Sequence, residues 1–307
     1  MRRSLVLLCL TLAGCGITQL GSGRVDRSLA ALVPADTTVL AGVRMDELRA
    51  TPWYKKSVGD KPLPELDSFV KETGLDPRKD ISELLIVSDG AKTAVLARGE
   101  FSRQNLQASI NRQGGKRIRY KGFTLIGDEQ GAVAFLSSTT AVAGQPAAVR
   151  SIIDQRGHSA GLSPSLRQKV EAIPPHHQIW IVATGGFGDI SKTVPQSGNF
   201  ANLGKVFSMI ESLTAGVDLR SGLHLFATGV CRSDQDARSL GDAVRGLVAL
   251  ARLAAPSGDP DLLKAIDGIQ VEQQQRTVRL TVAIPQELWD KALEKFSSSG
   301  SSRGPRW

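Results

Sequence analysis

The chain predicts an α+β fold made of two related halves, each an antiparallel β-sheet with helices packed on one face. Three observations predict it. Short apolar runs bounded by Gly, Asp, Ser and Pro recur along the 307 residues and read as strands. Segments with apolar residues three and four apart fall between them and read as helices. The whole order of runs then occurs a second time, as a duplicated chain would show.

In the first half, residues 38–45 read as a strand and a short helix starts at Asp46. Two apolar runs, 83–88 and 93–101, are parted by Asp89-Gly90, a strong hairpin signal. Ser102 is placed to cap a helix over 102–113, with Leu106 and Ile110 one turn apart, and Gly114-Gly115 ends it. Strands are expected over 117–126 and 132–143, then a helix from Pro146 to Gln155.

The second half repeats the pattern. A strand covers 177–184, a helix lies near 203–213, and a hairpin joins 216–219 to 222–231. Ser233 caps a long helix over 234–253. Its Ala237, Leu240, Val244, Leu247, Val248 and Ala251 form one apolar stripe suited to lie on a sheet. Strands follow over 269–275 and 277–284, and Pro285 leads into a closing helix to Phe296. Short matches fall in the same order in both halves. Val87-Ser88-Asp89-Gly90 faces Leu219-Arg220-Ser221-Gly222, Phe101-Ser102-Arg103 faces Cys231-Arg232-Ser233, and Gln145-Pro146 faces Ile284-Pro285.

The N terminus carries an address. Arg2 and Arg3 precede a compact apolar run over 5–12 that is too short to span a bilayer, and a small-residue exit follows. Leu12-Ala13-Gly14-Cys15 resembles the lipobox of bacterial lipoprotein precursors. That resemblance implies diacylglycerol on the Cys15 sulfur, cleavage just before Cys15 and acylation of the new amino group. It also implies a chain held in the cell envelope by lipid. In lipoproteins of the enteric type, Asp after the lipidated Cys retains the protein at the inner membrane. Gly16 stands there instead, so the outer membrane, facing the periplasm, is the expected destination. The rest of the chain resembles bacterial lipoproteins of no assigned activity.

The expected organisation is then a signal peptide over 1–14, a lipidated N terminus and flexible tether over 15–28, and a first half over 29–156. A linker over 157–175 contains Pro164, Pro174 and Pro175, a second half covers 176–296, and 297–307 forms a disordered Ser/Gly/Arg-rich tail. The 41% apolar content supports a substantial core. Past the signal no apolar run reaches the roughly 18 residues a spanning helix needs. Cys9 leaves with the signal and Cys15 carries lipid, so Cys231 has no partner for a disulfide and reads as a half-buried small hydrophobe.

Few residues carry chemistry. The formal charge of +8 loses two with Arg2 and Arg3 and contains no basic block, so nucleic acid is not an expected partner. Lys116, Arg117, Arg119 and Lys121 crowd one strand, with Ile118 and Tyr120 on its other face. That ribbon offers contact to an anionic surface, or simply guards an edge strand against unwanted pairing. His176 and His177 are adjacent at a strand entry, where side chains point to opposite faces, which does not suit one metal ion. Gly185-Gly186-Phe187-Gly188 lacks the Gly-Lys-Ser/Thr of a phosphate loop and the third Gly of a dinucleotide site. There is no Gly-x-Ser-x-Gly or Ser-x-x-Lys. Asp234/Asp236 and Asp259/Asp261 sit at helix starts, where the dipole explains them. Trp53-Tyr54 caps the core or anchors a partner. No cofactor, metal or catalytic residue is expected. The leading function is a lipid-anchored, non-enzymatic binding or structural protein, against an envelope hydrolase or a carrier of apolar molecules.

Overall fold

A computed structural model describes residues 24–59, 61–73, 75–101, 116–157, 161–185, 208–255 and 259–300. The helix expected over 102–113, His158, Gly186 to Gly188 and Cys15 lie outside those residues.

The first half begins with helix α1 (Arg27–Ala30) and strand β1 (Val39–Arg44). Helices α2 (Met45–Ala50) and α3 (Pro52–Tyr54) follow, the latter running on into a π-turn over Lys55–Gly59. Helices α4 (Pro64–Thr73) and α5 (Pro77–Asp80) precede the hairpin β2 (Ile81–Ser88) and β3 (Thr93–Gly99). Next come β4 (Lys116–Tyr120), β5 (Phe123–Gly127), β6 (Ala132–Phe135), β7 (Thr140–Gly144) and helix α6 (Pro146–Gln155). Helix α7 (Pro164–Glu171) leads to the second half: β8 (Ile179–Ala183), β9 (Ile210–Asp218), β10 (Gly222–Cys231) and the long helix α8 (Asp234–Ala254). Helix α9 (Pro260–Asp267), β11 (Ile269–Gln274), β12 (Thr277–Pro285) and helix α10 (Gln286–Gly300) complete it.

The twelve strands among the described residues form one antiparallel sheet, ordered β11-β12-β10-β9-β8-β1-β2-β3-β7-β6-β5-β4. Outward from the central β1/β8 pair, the path β1-β2-β3-β7-β6 is matched by β8-β9-β10-β12-β11. The three sequence matches fall at equivalent points on these paths: the β2–β3 and β9–β10 turns, the ends of β3 and β10, and the ends of β7 and β12. The β4–β5 hairpin extends the first half alone.

Strand parity divides the sheet into two faces. On one, Leu40, Leu85, Leu96, Val142, Ala134 and Leu125 form a core with Leu29 of α1, Val149 and Ile152 of α6, and Leu166 and Val170 of α7. On the other, Val39, Ala183, Leu213 and Val278 pack under Ala237 and Leu240 of α8. Val43, Ile179, Val217 and Leu223 of that same face meet Leu48, Tyr54 and Trp289. The helices closing the two halves, α6 and α10, therefore lie on opposite faces of the shared sheet.

Several expected boundaries move. The strand over 117–126 is two strands, because Lys121 (φ 44°) and Gly122 (φ 83°) both take left-handed backbone and reverse the chain. The strand over 132–143 likewise breaks at 136–139, where Leu136 and Ser137 N–H donate to Thr140 O. Residues 210–213, assigned to a helix near 203–213, open β9 and pair with β8 and β10. The linker is not loose: Ser163 caps α7, and Leu166 and Val170 are buried. Arg24 and Val25, placed in the tether, are buried against the fold, and α10 runs past Phe296 to Gly300. The stripe on α8 also ends early. Ala237 and Leu240 are buried and Val244 packs beside them, but Leu247 is 46% exposed and Ala251 is exposed as well.

Candidate functional site

The basic ribbon predicted at one strand sits on β4, the outermost strand beyond β5. The structure does not keep its four cations together. Lys121 lies in the β4–β5 turn and its Nζ meets Asp154 Oδ1 of α6 at 2.7 Å. Tyr120 donates its hydroxyl to the same carboxylate at 2.8 Å, and the Arg150 guanidinium lies 5.5 Å from the Tyr120 ring. The hydrogen bonds from Lys121 and then Tyr120 hold Asp154 below the usual carboxylate range. Lys116, Arg117 and Arg119 stay on the exposed edge. Arg117 and Arg119 share the face away from the α6 side, opposite Ile126 and Thr124 of β5. The left-handed turn redirects Lys121 out of that row.

A second arrangement was not predicted. Arg44, Glu83, Arg98 and Thr140 are register partners across β1, β2, β3 and β7, on the α1 side of the sheet. In β3 the residues sharing that face are Ala94 and Leu96, both buried, so Arg98 puts a guanidinium where alternation calls for an apolar group. Its neighbours satisfy it. Nη1 donates to Ser28 Oγ at 3.0 Å and Thr139 Oγ1 at 3.4 Å, and Nε lies 3.4 Å from Asp26 Oδ2. Asp26 is the N-cap of α1, accepting from Ser28 N–H at 2.8 Å, and its own N–H donates to both Glu83 carboxylate oxygens at 3.2 and 3.3 Å.

Those two carboxylates are driven apart. Burial, and then the nearby Asp26 charge, push Glu83 up to about 7, despite the Asp26 N–H. Asp26 is also desolvated, yet the hydroxyl and N–H of Ser28 and the charge of Arg98 hold it below its ordinary value.

Beside this network opens a cleft of about 480 Å³. Ser28 of α1 and Leu32 just after it, Arg98, the β6–β7 turn with Ser137 and Thr139, and Arg156 after α6 line it. The Arg156 guanidinium lies 5.0 Å from the Phe123 ring, a cation–π contact. Among the described residues no carboxylate pairs with Arg156. Ser137 Oγ and Thr139 Oγ1 stand 3.3 Å apart. Glu83 is not among the residues lining the cleft.

The remaining candidates are structural. The rings of His176 and His177 stack at 4.8 Å because both precede β8, so the opposed placement expected of them does not occur. His177 is buried against Phe226, and desolvation lowers its pKa. His176 lies 3.9 Å from Asp218, whose carboxylate is engaged by Arg220 and Gln178. Among the described residues no group of three His, Cys, Asp or Glu side chains is arranged to hold a metal. Cys231 is fully buried beneath α8, and burial pushes its thiol up, away from the reactive thiolate. Tyr54 is buried and Trp53 packs beside it, so this pair completes the core under α10. No described helix is long and apolar enough to cross a membrane.

No family model matches the chain, and no curated protein is similar to it in sequence. Among solved structures, crystal form I of TP0453 aligns with 87% of this chain and 96% of its own at 8% identity, with a TM-score of 0.49. Crystal form III of TP0453 aligns with 84% and 95%, at the same identity and score.

Proposed function

We propose that the protein is a lipid-anchored component of the bacterial cell envelope with a non-enzymatic binding role. The observation that carries the binding role is the cleft between α1, β3, the β6–β7 turn and Arg156, which presents donors and a guanidinium to solvent while the nearby carboxylates point to partners within the fold. Cys15 in its Leu-Ala-Gly-Cys context supports the anchor. Two or three acyl chains make a lasting attachment where one does not. The first buried residues are Arg24 and Val25, and the intervening 16–23 can extend at most about 30 Å, so such an anchor keeps the domain beside its bilayer.

A hydrolase is the second reading, favoured by one observation: Asp26 and Glu83 are neighbouring carboxylates whose protonation is pushed in opposite directions, as in acid–base pairs. Glu83 faces the backbone N–H of Asp26 rather than the cleft, which supports the binding role over this one.

Substituting Cys15→Ser tests the anchor. The wild-type chain is expected in the membrane pellet with an acylated Cys15 at its N terminus, and the variant in the soluble fraction. A native chain that begins at Met1 with an unmodified sulfur, or a variant that pellets as firmly as wild type, overturns the anchored reading.

A further inference from the structure

We infer that the cleft between α1 and Arg156 is a binding site for a phosphoryl group. This rests on the binding role proposed above but not on the lipid anchor. Two arginines line the same opening, and they are held differently. Arg98 is fixed by Ser28, Thr139 and Asp26, so it supplies one wall already neutralised in part. Arg156 sits 5.0 Å from the Phe123 ring and, among the described residues, pairs with no carboxylate, so its fork of donors faces the opening. The hydroxyls of Ser137 and Thr139 border the same space and can turn a proton toward an acceptor, whereas the Ser28 hydroxyl donates to Asp26 and only accepts from Arg98.

The donor set selects the ligand class. A carboxylate offers two oxygens and one charge, which one arginine fork satisfies. A phosphate monoester offers three terminal acceptor oxygens and between one and two negative charges, which suits a guanidinium, a second part-neutralised guanidinium and the Ser137 and Thr139 hydroxyls. The 480 Å³ volume admits a phosphoryl group on a small polar body, or the headgroup of a phospholipid. Buried Leu32 and Leu136 add apolar contact for the body of such a ligand. A free phosphate monoester and the monoester headgroup of phosphatidic acid share this chemistry, and binding measurements separate them.

The full chain carrying Cys15→Ser, which removes the acylated thiol, is titrated by calorimetry with inorganic phosphate and with glycerol 3-phosphate. It is also sedimented with vesicles of phosphatidylcholine alone or mixed with phosphatidic acid, whose headgroup is a phosphate monoester. Saturable binding of the two soluble phosphates is expected, weakened about tenfold or more by Arg156→Ala and less by Arg156→Lys, because an ammonium keeps the charge and loses the fork. Ser137→Ala is expected to weaken binding by a smaller factor, and Arg119→Ala on the edge strand to leave it unchanged. Thermal unfolding confirms that each variant is folded. Sedimentation with phosphatidic acid vesicles that Arg156→Ala abolishes identifies the lipid headgroup as the source, and soluble binding without it identifies a free ester. No saturable phosphate binding by the folded chain, or binding indifferent to Arg156→Ala, overturns the inference. Binding of a small dicarboxylate in place of phosphate overturns the phosphoryl assignment while leaving the binding role standing.

Discussion

Glu83 shows how one residue can report the fold. It sits between Arg44 and Arg98 in register, yet desolvation dominates and raises its carboxyl from 4.5 to about 7. The folded state therefore holds a proton that the unfolded chain releases between those values. Its contribution is fully present below about 4.5 and is lost as pH rises through about 7. Glu83→Gln removes the titration. Compared with the variant, wild type is expected to lose about 3 °C of melting temperature between pH 5 and pH 8, a shift scaled down because the side chain is only part-buried. Parallel melting curves for the two proteins across that range refute it. The other residue of note, Arg98, was legible in principle: it is a charge at an inward-facing position of an apolar strand. Its meaning was not, since Ser28 lies 70 positions away and Thr139 41.

At the scale of elements, α8 separates what periodicity determines from what it does not. The stripe at three- and four-residue spacing is real, and Ser233 caps the helix as expected, donating to Asp236 Oδ2 and accepting from Asp236 N–H. Periodicity gives the direction of a face, whereas the extent of the sheet beneath decides how much of it is covered. A 21-residue helix is about 31 Å long, and its C-terminal turns run past the strands that cover Ala237 and Leu240. Leu240→Ala is expected to cost about 2–4 kcal/mol in denaturant unfolding, and Leu247→Glu less than about 1 kcal/mol. A similar loss from both would mean that the end of the helix is packed after all. The edge strand β4 teaches the same lesson. Its alternation was legible, but the Lys121-Gly122 turn that detaches Lys121 from the ribbon depends on two left-handed residues, of which only the glycine is an ordinary signal.

For the whole molecule, the decisive contact is the pairing of β1 with β8. Gly42 stands opposite Trp180, and a Cβ there would come within 2.3 Å of the indole ring. Trp180 belongs to the same core as Leu40, Leu85 and Ile152, so the halves share packing as well as hydrogen bonds. Gly42→Ala is expected to destabilise the protein by roughly 1–3 kcal/mol, because the ring must move within a filled core. Both halves are expected to lose structure in one transition, since neither sheet ends at the seam. Hydrogen exchange showing β10–β12 protected after β3–β7 have opened would contradict that single cooperative unit.

Most of the strands, the helices at 146–155 and 234–254 and the doubling of the strand order are written locally, in alternation, turn residues and capping residues, so the sequence alone determined them. Which face each helix covers, the joining of both halves into one sheet and the meeting of Arg98, Arg156 and Ser28 around one cleft were decided only by the tertiary structure. Each of these depends on residues far apart in the chain, and local propensity carries no information about which of many compatible partners burial will select.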